Sequence, residues 1–242
     1  RFLLFTHTYV FFFFIWKLSY ILPFLEIFMQ ERYIFMADII KSREKDDLAM
    51  MWQFKELVHD INKIFSKSIV SPITITLGDE FQGIIESFES LIKVIFFIEE
   101  ECIKKGYIFK LRYAISESDV EHINYYSSYE MISTSLISTR EMLSLSKKKW
   151  LRFNFNLKNI SSLKEKKLNL LFSCYQSKID SFPIKDHMII EQYLSKNMRY
   201  SEIASKLNMY DSTVWKKMKR LDIDTYINLK TLIELEFLNS DQ

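Results

Sequence analysis

Glycine is scarce in this 242-residue chain, which contains only three glycines, whereas an average composition of roughly 7% would supply about 17. Two of them, Gly78 and Gly83, bound a single six-residue stretch. In a chain that otherwise does without glycine, such a pair indicates positions where the backbone needs a positive φ or where another group approaches closely. The alternative is an ordinary hairpin turn.

Cysteine and histidine are also few, with two and four residues. Cys102 and Cys174 each fall on an apolar helical face without a Cys or His at metal-ligand spacing, so we expect buried free thiols in a reducing, cytoplasmic compartment. No two histidines are four residues apart, and G-x-S-x-G and P-loop patterns are missing. The sequence therefore lacks the signatures of helical zinc proteases, α/β-hydrolases and P-loop NTPases.

Charge of one sign is not in excess either, because 33 Lys and Arg face 31 Asp and Glu, for a net charge of +2. This balance is too close to neutral to indicate nucleic-acid binding by the whole molecule, so any contact with DNA must come from a local cluster. Hydrophobic residues make up 48% of the chain, which is enough for a real core.

A long apolar run occurs at residues 1–28, where four phenylalanines follow one another at 11–14. Lys17 near its middle and Pro23 near its end weaken a membrane span, and no small-residue cleavage site follows it. We predict that this apolar leader is translated from upstream of a natural start at Met29. A membrane anchor is the alternative.

Strand and helix patterns alternate after the leader. Apolar or alternating runs predict strands at 33–40, 72–77, 81–85, 109–116 and 150–155, and three- or four-residue apolar spacing predicts helices at 46–66, 88–102 and 129–145. This alternation predicts a layered α/β sheet with helices on one face.

Two acidic residues stand out from these strands. Asp38 lies inside an apolar run, and Asp79 lies at the tip of a hairpin beside Glu80. If the strands are neighbours, both carboxylates converge at one edge of the sheet, where their hard oxygen atoms suit Mg²⁺ and a phosphate-bearing substrate. The alternative is that Asp38 caps a turn and that Asp79 is an ordinary turn residue.

The stretches YIFMADIIKSR, with Asp38, and ITITLGDEFQG, with Asp79, resemble the SatD family of bacterial proteins over residues 33–155. The resemblance implies an α/β domain of ferredoxin-like form at 29–158, followed by a helix-turn-helix. It also implies a site in which Asp38 and Asp79 have these neighbours: Ile39, Gly78, Glu80, Gln82 and Gly83.

The same layout is more distantly similar to class III nucleotidyl cyclases, and this likeness implies that Asp38 and Asp79 hold Mg²⁺ and that Arg140 contacts phosphate. Leu136 stands where the cyclases have a ribose-orienting Asn, and Ile75 where they have a purine-selecting Lys. Since positioning is most of phosphoryl-transfer catalysis, the resemblance implies a metal-nucleotide binding domain with unknown catalytic residues. An active cyclase or phosphotransferase and a non-catalytic interaction module are the alternatives.

The C-terminal part is predicted to be all helical. A connecting helix at 159–182 carries an apolar face of Leu163, Leu170, Leu171, Cys174 and Tyr175. An all-α helix-turn-helix domain follows at 183–242, with helices at 186–196, 200–207 and 212–221. Asn208 stands where the turn of a helix-turn-helix usually has glycine, and Asn tolerates the left-handed conformation better than most residues.

The helix at 212–221 is basic on its outward side. Its hydroxyls and cations predict contacts with base edges and phosphates of DNA, and these residues are Ser212, Thr213, Lys216, Lys217, Lys219 and Arg220. A basic bundle for protein contacts is the alternative. The last helix, at 223–237, is predicted either to pack on the bundle or to form a homodimer. The whole pattern predicts a regulator with nucleotide and DNA as partners.

Overall fold

A five-stranded sheet is the centre of the fold in a computed structural model that describes residues 32–40, 48–118, 123–129, 131, 133–149, 151–158 and 160–237. The predicted leader at 1–28 lies outside the described residues. The strands are β1 (Arg32–Ile39), β2 (Ile69–Ile75), β3 (Glu80–Ile85), β4 (Leu111–Ser118) and β5 (Phe153–Asn156).

The strand order across the sheet is β2-β3-β1-β4-β5. The pairs β1–β3, β1–β4 and β2–β3 are antiparallel, and β5 pairs with β4 in parallel. The first four strands and the two helices between them follow the β-α-β-β-α-β order of a ferredoxin-like sheet, and β5 extends that sheet by one strand. The mixed α/β class predicted from the alternating pattern is confirmed.

Helices follow the strands closely along the chain. They are α1 (Leu48–Ile64), α2 (Phe88–Lys104), α3 (Thr134–Lys149), α4 (Ser162–Asp180), a 3₁₀ helix (Ile184–Asp186), α5 (His187–Lys196), α6 (Tyr200–Lys206), α7 (Asp211–Leu221) and α8 (Ile223–Phe237). α3 begins at Thr134, later than the predicted 129, because the Ser133 hydroxyl accepts a hydrogen bond from the Leu136 N–H at 3.1 Å and caps the helix there. Within the described ranges, no helix is long and apolar enough to cross a membrane.

Helices cover both faces of the sheet. On one face, Phe81 of β3 packs between Phe35 of β1 and Phe54 of α1, with ring centroids 5.4 and 5.8 Å away. On the other face, Met36 of β1 shares a buried cluster with Leu136 of α3. The prediction of helices on one face is wrong, because successive residues of β1 point to opposite faces and both sets are apolar.

The two glycines at the β2–β3 hairpin have different structural reasons. Gly78 has a φ of +81°, a backbone conformation that residues with a Cβ atom rarely adopt. Gly83 lies so close to β2 that a Cβ atom on it would be 2.8 Å from Ile73 Cγ1 and 3.2 Å from Ile73 Cα. Both reasons predicted from the spacing of the glycines, positive φ and close approach, are therefore confirmed.

α4 buries a face that overlaps the predicted one only in part: Tyr175 is buried and Leu171 half-buried as predicted. Its buried residues are Leu168, Phe172, Tyr175 and Ile179, whereas Leu163, Leu170 and Cys174 are exposed. The aromatic residues decide this rotation, because Phe172 and Tyr175 both contact Phe153 of β5 at centroid distances of 5.0 and 5.8 Å.

Both cysteines are free thiols, as predicted, but the prediction that both are buried is wrong. Cys174 is exposed because it lies off the aromatic face of α4, and Cys102 is half-buried on α2. Desolvation raises the pKa of the Cys102 thiol well above its ordinary value.

A buried arginine just before β5 ties the sheet to helices α2 and α4. Arg152 is 4% exposed, and its guanidinium donates to the Leu111 carbonyl at 2.8 Å, to Asp180 Oδ1 at 2.8 Å and to Glu99 Oε1. Glu99 Oε1 also accepts from the Tyr113 hydroxyl. Removal of the guanidinium would leave a carboxylate uncompensated inside the protein.

We therefore expect Arg152→Ala to lower the free energy of unfolding by about 3–5 kcal/mol, because breaking a buried ion pair from one side strands the other charge. Urea unfolding followed by circular dichroism measures this loss. Lys148→Ala, which removes an exposed cation of α3, is the matched control and should change stability by at most about 0.5 kcal/mol. Equal losses in the two variants would show that the Arg152 network does not hold the fold.

Candidate functional site

A row of charged side chains crosses three strands beneath α3. In the strand register Asp38 of β1 lies opposite Glu80 of β3 on one side and opposite Arg112 of β4 on the other. All three are at most 9% exposed. Because cross-strand partners share a face of the sheet, the register alone brings these three charges together.

Asp38 is held by two cations. Arg112 Nη1 lies 3.1 and 3.2 Å from the two Asp38 oxygens, and Lys147 Nζ of α3 lies 2.7 Å from Oδ2. Burial raises the pKa of Asp38, and the Lys147 hydrogen bond and the Arg112 charge offset this only in part, while nearby Asp79 raises it further.

Asp79 lies beside this row, in the turn that follows Gly78. Its backbone carbonyl accepts a hydrogen bond from the Ile39 N–H at 2.9 Å, so the hairpin tip is fastened to the end of β1. The structure thus brings Asp38, Ile39, Asp79 and Glu80 to one end of the sheet. Gln82 and Gly83 lie further along β3.

Magnesium fits this arrangement poorly. Within the described part of the chain, no group of three His, Cys, Asp or Glu residues could hold a metal ion. Both Asp38 oxygens already face the cations of Arg112 and Lys147, which a divalent ion would have to displace. We derive no step through a metal, and the magnesium site at Asp38 and Asp79 stays a prediction.

Arg140 of α3 reaches down to the same row. Its Nε donates to Glu80 Oε1 and its Nη2 to Gln82 Oε1, both at 3.1 Å, and its side chain is 47% exposed. Gln82 is fixed in turn by Ser128, whose hydroxyl donates to the Gln82 carbonyl at 2.7 Å and whose carbonyl accepts from the Gln82 amide. Among the residues that the structure describes, Nη1 of Arg140 has no acceptor, so it can donate to another group.

A cavity of about 250 Å³ opens between this row and the N-terminal half of α3. Its lining combines apolar side chains, such as Met36 and Leu136, with polar ones at Gln82 and Arg140. The full lining is Met36, Gln82, Tyr129, Met131, Ser133, Leu136, Ile137, Arg140 and Glu141. Leu136 is 5% exposed and packs in the cluster beneath α3. Ile75 is half-buried at the end of β2 opposite Phe81. Leu136 and Ile75 cannot make the hydrogen bonds expected of the Asn and the Lys that nucleotidyl cyclases have at these positions.

α6 and α7 form two helices joined by a short turn. Asn208 in this turn has φ +53°, the left-handed conformation expected from the sequence. On α7, Val214 and Leu221 are buried, whereas Ser212, Lys216 and Lys219 are exposed. Thr213, the remaining predicted hydroxyl contact, is half-buried.

A buried aspartate binds the other two predicted cations of α7. Asp186, in the 3₁₀ helix, is 1% exposed, and its carboxylate pairs with Lys217 Nζ and, at 2.6 Å, with Arg220 Nη2. Burial raises the pKa of Asp186, but the Lys217 hydrogen bond and the charges of both cations outweigh this, and the pKa is lowered below its ordinary value. Lys217 and Arg220 therefore fasten α7 to the 3₁₀ helix.

A family model described as the SatD family matches residues 33–235. The chain belongs to the SatD family. The match runs from β1 into α8, so the SatD resemblance seen in the first domain extends over the C-terminal helices. Among solved structures, that of a bacterial light-regulated adenylyl cyclase is similar at 15% sequence identity and a TM-score of 0.39, covering 52% of this chain and 74% of that one. No curated protein sequence matches the chain.

Sequence reasoning missed three charged residues. Arg112 and Lys147 pair with Asp38, and Asp186 pairs with two cations of α7. Arg112 offered a signal, because it is a charged residue inside the apolar strand run 109–116, just as Asp38 is inside 33–40. Lys147 is one of three consecutive lysines, and Asp186 resembles a helix-start residue. No local pattern distinguishes either residue, since each has its partner far along the chain.

We expect Asp186→Asn to lower the free energy of unfolding by about 1–3 kcal/mol near neutral pH, because two charge-assisted hydrogen bonds to α7 are weakened. The folded-state pKa of Asp186 is lowered, so its stabilising contribution is present above the ordinary value of 3.8 and is lost as pH falls through the folded-state pKa. The difference between wild type and variant should therefore shrink in acid.

Urea unfolding at a series of pH values measures this difference. Asp211→Asn is the control, since Asp211 is an exposed acid on α7 that has no ion pair among the described residues. A stability difference that does not depend on pH would contradict the ion pairing of Asp186.

Proposed function

We infer that this SatD-family protein is a cytoplasmic DNA-binding regulator, in which a helix-turn-helix formed by α6 and α7 binds DNA and the α/β domain binds a nucleotide. The observation that carries the first part is the solvent-facing surface of α7. The second part rests on the cavity beneath α3 and on Arg140 at its rim.

α7 presents a polar stripe with the spacing of one helical face. Ser212, Lys216 and Lys219 are four and three residues apart and all exposed, so they project together. A hydroxyl at the N-terminal end suits base edges, and cations further along suit phosphates. Val214 and Leu221 anchor the opposite side of the helix.

The ion pairs of Asp186 refine which cations would meet DNA. Lys217 and Arg220 are engaged by a buried carboxylate, so their first role is to set the position of α7. Lys216 and Lys219 are exposed and have no ion pair among the described residues, whereas Arg220 is exposed but paired with Asp186. The electrostatic contribution to DNA binding should therefore follow Lys216 and Lys219.

We expect the double variant Lys216→Ala with Lys219→Ala to weaken binding to mixed genomic DNA fragments. The slope of log affinity against log salt concentration should become less negative by about 2, because two phosphate contacts are lost. Fluorescence anisotropy at several salt concentrations measures both quantities.

The matched control is Lys63→Ala with Lys67→Ala, which removes two exposed lysines at the end of α1. This control has the same change of net charge. If both double variants lose the same affinity and the same salt dependence, general charge rather than α7 accounts for binding, and the DNA-binding assignment of α7 is wrong.

The cavity beneath α3 has features that suit a nucleotide. Its apolar floor of Met36 and Leu136 and the Tyr129 ring beside it can receive a base, and Arg140 at the rim has Nη1 available for a phosphate oxygen. The charge for phosphate recognition comes from a protein side chain. Binding of this kind needs no metal.

We expect Arg140→Ala to weaken the binding of ATP or GTP about tenfold or more, because a charge-assisted hydrogen bond contributes about 1.5–3 kcal/mol. Titration calorimetry in Mg²⁺ and again in EDTA measures the affinity. Binding should survive in EDTA, since Arg112 and Lys147 already neutralise Asp38. Lys148→Ala, which removes an exposed cation of the same helix, is the control and should bind like wild type.

Measurement of NTP turnover alongside these titrations separates the two alternative functions. Turnover of an NTP in Mg²⁺ that Asp79→Ala abolishes would identify an active cyclase or phosphotransferase. The absence of both binding and turnover would favour a protein-interaction module.

Homodimer formation stays a prediction as well: α8 buries Tyr226 and Ile233 within the chain, but Leu232 and Leu235 are exposed.

A further inference from the structure

A second cavity, of about 260 Å³, lies on the other side of the sheet from Arg140. It is bounded by the C-terminal end of α2, by residues 106–111 leading into β4, and by residues 179–184, which connect α4 with the 3₁₀ helix. None of its lining residues belongs to the cavity beneath α3. The two cavities are therefore separate sites.

Aromatic rings form much of this second cavity. The rings of Tyr107 and Phe109 are stacked with centroids 5.5 Å apart, and Phe182 lines the cavity from the α4 side. Tyr107 and Phe109 are each 5% exposed and Phe182 is 8% exposed. Flat, rigid walls of this kind favour a planar aromatic ligand.

The charged residues of the cavity neutralise one another. Arg152 and Lys110 both pair with Asp180 Oδ1, at 2.8 and 2.9 Å, and Arg152 also pairs with Glu99. The lining thus contains two cations and two carboxylates, all in ion pairs. A charged ligand would lose its hydration without a free counter-charge, which disfavours it strongly.

Polar atoms remain that can orient an uncharged ligand. Arg152 and Glu99 are 4% and 5% exposed, and both line the cavity. A guanidinium has five N–H donors, of which three are accounted for by Leu111, Asp180 and Glu99. A ligand with one hydrogen-bonding group on an aromatic ring could therefore be held at this end of the cavity.

We propose that this second cavity is a binding site for a small, uncharged, planar aromatic molecule that carries a hydrogen-bonding group. The site requires neither DNA nor nucleotide, so it stands or falls independently of the function proposed above.

Indole is a suitable probe because it is uncharged, planar and has one N–H group. Indole-3-acetate and tryptamine carry the same ring with a negative and a positive charge. Ligand-observed NMR titration of the full chain should show saturable binding of indole, and at least tenfold weaker binding of both charged analogues.

Two variants locate the binding. Cys102→Phe fills the cavity from α2 and should abolish indole binding, whereas Cys174→Phe makes the same change at the exposed cysteine of α4 and should leave it unchanged. Ile184→Trp covers the cavity from a position that is 53% exposed, so it tests the site even if Cys102→Phe does not fold. Loss of indole binding in Ile184→Trp supports the proposal.

Three results would overturn it: no saturable binding of indole to the wild type, equal affinity for the charged analogues, or full indole binding in Ile184→Trp. Each would show that the cavity does not select an uncharged aromatic ring.

Discussion

The buried guanidinium of Arg152 is the interaction on which the arrangement of the chain depends. It joins the backbone of β4 to carboxylates of α2 and α4. Burial lowers the pKa of an arginine, but the adjacent charges of Glu99 and Asp180 outweigh this and raise it. The cation is therefore retained, and the three elements must keep the positions that satisfy it.

The next residue of α2 extends this network to the C-terminal helices. Glu100 accepts hydrogen bonds from Lys230 at 2.6 Å and from the Tyr226 hydroxyl at 3.1 Å, both on α8. Burial raises the pKa of Glu100, but Lys230 and Lys104 outweigh it and the pKa is lowered. Two consecutive carboxylates thus bind different layers: Glu99 holds Arg152 and Tyr113 at the sheet, and Glu100 holds α8.

Much of the fold was predictable from local patterns, and the reasons are physical. Alternating and helical spacing located the strands and helices because each element buries one or two defined faces, and the scarcity of glycine made Gly78 and Gly83 conspicuous. The face of α4 was predictable only in part, since Tyr175 is buried as predicted but Phe172 was not recognised. Leucines and aromatics both occur along α4, and only contact with Phe153 decides in favour of the aromatic side.

The candidate site was likewise predictable only in part. Asp38 was conspicuous as an acid within an apolar strand, but its partner Lys147 lies more than 100 residues away, and sequence spacing carries no information on such a pair. The same is true of Asp186, which pairs with Lys217 and Arg220 of α7. Long-range charge pairing is the part of this structure that required coordinates.

The C-terminal half of α7 is fastened at two points. Asp186 holds Lys217 and Arg220 on one side, and Lys178 of α4 donates to the Leu221 carbonyl at 2.7 Å, at the end of the helix. The rotational freedom of this helix is thus lost when the protein folds, before any partner arrives. If a partner binds α7, it would meet a surface that is already ordered, and binding would not include the cost of ordering this helix.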